Sequence, residues 1–597
     1  MRASFKVIHR HFILLILLVS SHAYAAALPS FQQVRNQYHS SFATLLDRNG
    51  EAIQTLQLDT SAQRLPWVTL QELSPAMQEA LLVSEDHRFF QHQGVDWRAM
   101  ASAAWENLVH NTHRGASTLT MQLMGLLEPS LTRGTGGRTY LQKWQQIGAA
   151  RKLEKHWSKA QILEAYLNLV DFKSNLYGIN AATAALFNKS PATINPAEAS
   201  ILAALLRGPN AKPRIVAERA CGVAALLHPP RPNCADITAL SLQQLHAHPK
   251  VGFATAIAPE VAQQLLHTPA QRVITSLDAQ LQKIVLSSLQ KDASHAASAA
   301  VILDNSTAEI LAYSNSDATK PNNIIVPHPA STILQPFIYE LAIEQKRLTA
   351  ATLLDNTPVP IAASTPFPDY MVDTPGHDWV STRTALSTGL AAPALRAQAL
   401  LSPTDYAERL RHLGLNPTSQ YSTLLNIANA YQTLANNGQY QPASFHVAGL
   451  NKPQRIMPAK AAAIISSILA NQDIKDGFYL NDVDNYYALA SRPQYAVGYT
   501  ANYTIAVWIE NSATLNAADI WQRITADITR LHPSHPPKLP NNLMIQNVQF
   551  NPPVEPPRPE LFLPGTEQST FSPPSYQKPE LFSQPIDSNM SLNYPNQ

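Results

Sequence analysis

Charge is what this sequence has least of. Asp, Glu, Lys and Arg make up 14% of its 597 residues and the formal net charge is +2. A surface so thinly charged gives no electrostatic basis for wrapping nucleic acid, whose phosphates are gripped through many Lys and Arg contacts, so any anion recognition must be local. Cysteine is nearly as scarce: Cys221 and Cys234 are the only two. No His pair keeps ligand spacing with them, which argues against a structural zinc site. They flank a Pro-rich stretch, His228-Pro-Pro-Arg-Pro-Asn233, and in an oxidising compartment the choice is between one disulfide and two free thiols. Apolar residues, by contrast, reach 45%. That supports globular folding, and the length exceeds what one core organises, so two folded domains and a tail are expected.

The N-terminus sets Arg2, Lys6 and Arg10 ahead of an apolar run that starts at Phe12 and continues to Leu28. Basic residues before an apolar stretch are what an export signal needs. The run is about the minimum length for spanning a bilayer, while Ala23-Tyr24-Ala25 offers a small-x-small cleavage site. Residues 1–28 therefore fit a retained anchor and a cleaved signal equally, and either exports the chain.

Residues 30–72 read as a lead-in, with Phe42 to Gly50 as strand then turn. From 73 to 214 the pattern is helical. Ser74-Pro75 is a cap followed by Pro at the first helical position, and Asp96 caps a helix with Trp97, Met100, Ala104, Trp105 and Leu108 on one face. Ser158 with Gln161, and Asn195 with Glu198, form capping boxes. Residues 215–271, carrying the Cys pair, read as a linker. From 272 to 532 strands lie on both sides of helical segments, which implies an α/β sheet domain. Residues 533–597 turn Pro-rich and polar, a composition that argues for disorder. Inside that tail Pro559-Glu-Leu-Phe562 recurs as Pro579-Glu-Leu-Phe582, either by chance in a biased segment or as a pair of partner-docking motifs.

Four ordered strings in the helical stretch carry chemistry. The first runs Glu85-Asp86-His-Arg-Phe89-Phe-Gln-His92-Gln-Gly94-Val-Asp96, and the second Gly115-Ala-Ser117-Thr118-Leu-Thr120-Met-Gln122. The others are Ile162-Leu-Glu164-Ala-Tyr-Leu-Asn168 with Tyr177-Gly178, and Glu198 through Pro209. Together they resemble the motifs of glycosyltransferase family 51, the transglycosylase module of class A penicillin-binding proteins; Met121 before Gln122 resembles the 1C branch in particular. The resemblance implies a mostly α, lysozyme-like domain that polymerises lipid II into glycan strands and releases undecaprenyl pyrophosphate at the periplasmic face of the inner membrane. It also implies substrate contacts from Asp86, Phe89, His92, Gly94, Arg114, Gly115, Ser117, Thr118, Thr120, Gln122, Lys143, Gln146, Glu164 and Asn168.

The residue types suit that chemistry. A sugar hydroxyl attacking an anomeric carbon needs a carboxylate within hydrogen-bond reach, which typically gains ~10² to 10⁴ in rate, and Glu85 at the end of an apolar helix is the candidate base. A diphosphate leaving group suits the helix-start donors and hydroxyls after Gly115, with charge from Arg114. Two positions depart from the family. Its R-K-x-x-E string falls on Gln142-Lys143-Trp-Gln-Gln146, so Lys143 remains but the second acid is an amide that cannot take a proton; the 1C branch resembles this chain there. Gly125 stands where a basic residue usually ends the second motif. The resemblance also implies assistance by Mg²⁺ or Mn²⁺, although no carboxylate cluster in the sequence demands a metal by itself. One Glu in a helical sugar-binding domain also suits glycan cleavage, and a chain that grips lipid II without turnover is a further alternative.

The later domain resembles a penicillin-binding, serine β-lactamase-like transpeptidase with its chemistry removed. Leu303 to Tyr313 resembles the family's paired strands. Where the family carries P-G-S-T-L-K-P-F, this chain has Pro329-Ala-Ser331-Thr332-Ile-Leu334-Gln335-Pro-Phe337. One register sets Thr332 and Gln335 at the Ser and Lys stations, the other Ser331 and Leu334, and neither leaves a pair that activates a hydroxyl. The S-x-N station falls on Gly389-Leu390-Ala391, and no K-T-G triplet stands in Ala488 to Gln494. A scaffold role, with cell-wall synthesis partners reached through this domain or the tail, is the expectation.

Overall fold

The computed structural model describes residues 28–110, 117–131, 140–245, 249–292, 296–357, 378–447, 452–470 and 485–574, apart from single positions 174, 254, 318, 320 and 513. The export segment lies outside them. None of the helices among the described residues is long and apolar enough to cross a membrane. The chain divides into two compact units, residues 1–44, 55–254 and 266–272, and residues 45–54, 255–265 and 273–597.

The first unit is helical: α1 (Pro75–Glu85), α2 (Trp97–His110), α3 (Leu119–Leu127), α4 (Tyr140–Leu153), α5 (Lys159–Leu169), α6 (Ile179–Phe187), α7 (Pro196–Leu206), α8 (Pro213–Leu226) and α9 (Cys234–Gln244). Local chemistry starts several of them. The Ser74 side chain accepts from the Met77 N–H with Pro75 at the first turn of α1, and the capping boxes at Ser158 and Asn195 both form. The apolar α7 is buried nearly along its whole length, packing on α1 and α8, while α3 packs on α4 and α5. A shared core containing Met77, Leu81, Leu123, Ile162, Tyr166, Ile201 and Val216 joins them.

The linker expectation changes here, and the open choice for the cysteines is settled. The stretch read as a linker supplies α8 and α9; Val216, Ala220, Val223 and Ala224 belong to the core, and a Cys221–Cys234 disulfide ties the two helices. Short apolar spacing beside a Pro-rich loop had hidden two amphipathic helices. On α2 the two tryptophans of the apolar stripe are exposed, Trp97 by 51% and Trp105 by 68%, Met100 packs partly buried against the core, and the side chains of Ala104 and Leu108 lie outside the described residues.

The second unit is built on an antiparallel five-stranded sheet. In chain order its elements are α10 (Ala279–Gln290), β1 (Ser298–Asp304), β2 (Ile310–Asn315), α11 (Gln335–Glu344), α12 (Thr382–Thr388), α13 (Ala391–Ala399), α14 (Leu424–Ala435), α15 (Ala459–Leu469), β3 (Ala488–Arg492), β4 (Tyr495–Tyr499), β5 (Tyr503–Ile509) and α16 (Ala517–Leu531). The strand order is β3-β4-β5-β1-β2. β1 and β4 are buried at nearly every position, because both faces are covered: α10 and α16 supply Leu281, Val285, Ile520, Trp521 and Ile524 to one core, and α14 packs on β1, β4 and β5.

The Pro-rich tail is also corrected. Met544–Phe550, Arg558–Phe562 and Thr570–Phe571 form a three-stranded sheet with Met544–Phe550 in the middle. Val548, Phe550, Phe562 and Phe571 bury against Ala351 and Leu353. The first Pro-Glu-Leu-Phe copy is therefore a structural strand, with Leu561 and Phe562 inside. Proline is tolerated because that strand is an edge. The second copy lies outside the described residues.

Candidate active site

Glu85 is the last residue of α1, and its side chain is 10% exposed. Three donors meet its carboxylate. Gln122 Nε2 lies 3.0 Å from Oε2, Ser84 Oγ donates to Oε1 at 3.1 Å, and Arg207 Nε reaches Oε1 at 3.3 Å. Arg207, which caps the C-terminus of α7, also donates to the Ser84 carbonyl. Gln122 is held in turn by the Tyr166 hydroxyl, 2.8 Å from its Oε1. Burial pushes the Tyr166 phenol well above its ordinary pKa, and the nearby Glu85 carboxylate adds to the effect.

The neighbouring motif residues build the frame around this carboxylate. Asp86 is buried; its Oδ2 accepts the Leu119 N–H at 3.0 Å, fixing the start of α3, and both its oxygens lie 3.0 Å from His92 Nε2. The Thr118 side chain caps α3 by accepting from Met121 N and donates to the Gly94 carbonyl at 2.7 Å. Gly94 has φ +85°, and an added Cβ would lie 2.7 Å from the Ala150 carbonyl oxygen; only glycine meets both conditions. Phe89 is buried beneath Lys159, whose Nζ stands 4.3 Å from the ring centre. Asp96 accepts from the Ala99 N–H and pairs with Arg88. Burial pulls its carboxyl pKa upward, but those donors outweigh burial and leave it below its ordinary value.

Several residues implied as substrate contacts are committed to the protein. Thr120 donates to Glu154 at 2.6 Å. Glu164 accepts from Trp67 Nε1 and the Leu70 N–H, while Asn168 pairs with both backbone groups of Val68, so the two pin the lead-in onto α5. Gln146 is fully buried and donates to the Met121 carbonyl; its Oε1 meets no hydrogen-bond partner among the described residues. Lys143 is exposed on α4 and Ser117 half-buried just before α3. Arg114 and Gly115 lie outside the described residues. Tyr166 and Arg207 were not singled out from sequence, although both fall inside the matched strings; only the fold reveals that they reach one carboxylate. Among the described residues no three His, Cys, Asp or Glu side chains come together as a cation cluster.

In the second unit residues at the transpeptidase-like stations also meet. Gln335, fully buried at the start of α11, accepts from Arg492 Nη2 at 2.8 Å. Arg492 ends β3, the strand that should carry the third motif. Gly389, in the left-handed conformation after α12, has that guanidinium where a Cβ would stand, 2.1 Å from Arg492 Cζ. Ser331 is buried and its Oγ has no hydrogen-bond partner; Thr332 is half-buried and Ala391 is buried at the start of α13.

With this geometry in hand, residues 49–227 match the family model described as Transglycosylase. The chain is 27% identical over 485 residues to Penicillin-binding protein 1C of Escherichia coli, across 74% of this chain and 61% of that protein. It is 36% identical over 152 residues to the Biosynthetic peptidoglycan transglycosylase of Bdellovibrio bacteriovorus, across 24% of this chain and 55% of that one. It therefore spans less than two thirds of either relative's length. The crystal structure of Penicillin-Binding Protein 1A from Haemophilus influenzae shares the fold, with a TM-score of 0.53 at 15% identity over 89% of this chain and 99% of that one. The chain is thus a multidomain protein that carries a transglycosylase domain at residues 49–227 and is similar, through most of its length, to penicillin-binding protein 1C.

Proposed function

We propose that the helical unit is a peptidoglycan glycosyltransferase that polymerises lipid II, with Glu85 as the general base. The observation that carries this reading is a largely buried carboxylate held by three donors at the junction of the first two motifs. A carboxylate offers about four acceptor positions. Among the described residues three are used, which leaves a fourth for the hydroxyl of an incoming sugar. As that oxygen attacks the anomeric carbon of the partner sugar, its proton passes to Glu85, the new C–O bond forms, and the bond to the lipid diphosphate breaks with the electron pair leaving on phosphate oxygen. Asp86 and Thr118 serve by setting the start of α3, whose N-terminal end favours anionic groups. The remaining motif residues act by orientation: Glu164, Asn168 and Gln146 hold the walls.

The second unit is, on this reading, a non-acylating scaffold. Support comes from Arg492, which stands across Gln335 and Gly389 where an active domain would keep Lys and open space. The relatives' names support work on peptidoglycan and the basic-then-apolar N-terminus supports export; the same reading sets the chain at the periplasmic side of the inner membrane, acting on lipid II and growing glycan, with cell-wall synthesis proteins as partners of the second unit.

The test is to incubate the purified chain and its Glu85→Gln variant with labelled lipid II. Polymer ladders are expected from the native chain and none from the variant, which still retains lipid II. Undiminished polymer from Glu85→Gln would remove the base, retention without polymer from the native chain would leave a binding protein, and shortened glycan would indicate cleavage.

A further inference from the structure

We propose that Tyr166 is a positioning residue that acts through Gln122 to hold Glu85 in the orientation its base role needs, an inference that rests on the glycosyltransferase reading above. The two ends of a glutamine amide are alike in shape and opposite in chemistry, and their assignment follows from the surrounding hydrogen bonds. Were Gln122 to present its carbonyl oxygen to Glu85, two acceptors would face one another. Tyr166 decides the matter. Its hydroxyl, buried on α5, donates to Gln122 Oε1 at 2.8 Å, and the amide nitrogen is thereby left to face Glu85 Oε2 at 3.0 Å. The opposite oxygen is fixed by Ser84 and Arg207. Glu85 is therefore gripped at both oxygens, and one grip depends on a phenol that never touches it.

A hydrogen bond to a charged group is worth enough that losing its orientation slows the proton-transfer step about tenfold or more. Tyr166→Phe removes one oxygen and keeps the ring, so the loss should fall on kcat for lipid II polymerisation while KM and the thermal unfolding temperature stay near native. Because Tyr166 acts only through Gln122, Tyr166→Phe combined with Gln122→Met should be no slower than Gln122→Met alone. A merely structural tyrosine would give losses that multiply.

The experiment measures initial rates of the full chain and these variants, with Glu85→Gln in the same assay. A native rate for Tyr166→Phe beside an inactive Glu85→Gln overturns the positioning role and leaves the base in place, as do multiplying losses in the double variant. Native-rate polymer from Glu85→Gln overturns both. If Tyr166→Phe unfolds early, Gln122→Met keeps the phenol and carries the same test: a kcat loss with lipid II retention intact supports the relay, and an unchanged kcat ends it.

Discussion

Two side-chain oxygens in this chain are each met by an arginine, with opposite chemical results. In the helical unit Arg207 stands 3.3 Å from Glu85 Oε1; in the sheet unit Arg492 stands 2.8 Å from Gln335 Oε1. The carboxylate keeps a basic lone pair for a proton, whereas the amide has no useful proton affinity. The surroundings differ as well: Glu85 retains some exposure, while the space beside Gln335 is filled, with the Arg492 guanidinium over Gly389. On the proposed reading, a cation beside an acceptor is part of a machine in one place and a stopper in the other. What decides is whether the acceptor is a carboxylate or an amide and whether room remains for a second molecule.

The sharpest way to break this comparison is to look for a covalent adduct. A fluorescent penicillin should label neither Ser331 nor Thr332, and a stable acyl adduct on either would mean that the filled cleft opens and still does chemistry. Next in size is Gln335→Lys, which returns the family's cation to its station. It would bury a second positive charge against Arg492, and a loss of about 3–5 kcal/mol, the scale for an uncompensated buried charge, should appear in urea unfolding. A change below about 1 kcal/mol would mean the guanidinium is not held there. The smallest expected effect is that of Gln146→Glu, which restores the acid of the third motif. A carboxylate cannot donate to the Met121 carbonyl, so stability should fall by about 1–3 kcal/mol, the range for an unsatisfied buried acceptor, with no gain in polymerisation rate. Faster polymer would return residue 146 to the reaction.

Much of the first unit was legible because its signals are local. Ser74-Pro75, Ser158 with Gln161 and Asn195 with Glu198 state where helices begin, and the structure has caps at all three. The motif strings located the neighbourhood of Glu85 as well. They did not separate side chains that face a substrate from those that hold the walls, since Glu164 and Asn168 point into the lead-in segment and Gln146 into the core. That distinction depends on which way a helix face turns in the assembled unit. Tyr166 and Arg207 escaped for the same reason, being 81 and 122 positions from the carboxylate they influence directly or through Gln122. The strands after residue 543 were hidden by composition: prolines at 552, 553, 556, 557 and 559 read as disorder, yet they sit in a turn and on an edge strand where a missing N–H costs little.

The strand Arg558–Phe562 does more than close a small sheet. Its Glu560 is wholly enclosed, receiving Arg383 at 2.7 and 2.6 Å and Arg558 at 2.7 Å, so this strand supplies the counter-charge for an arginine nearly two hundred positions earlier. Trimming the protein at the point where prolines begin to accumulate would take that carboxylate away from the Arg383 guanidinium. Anyone shortening this chain by its composition would therefore be cutting through its second body rather than beyond it.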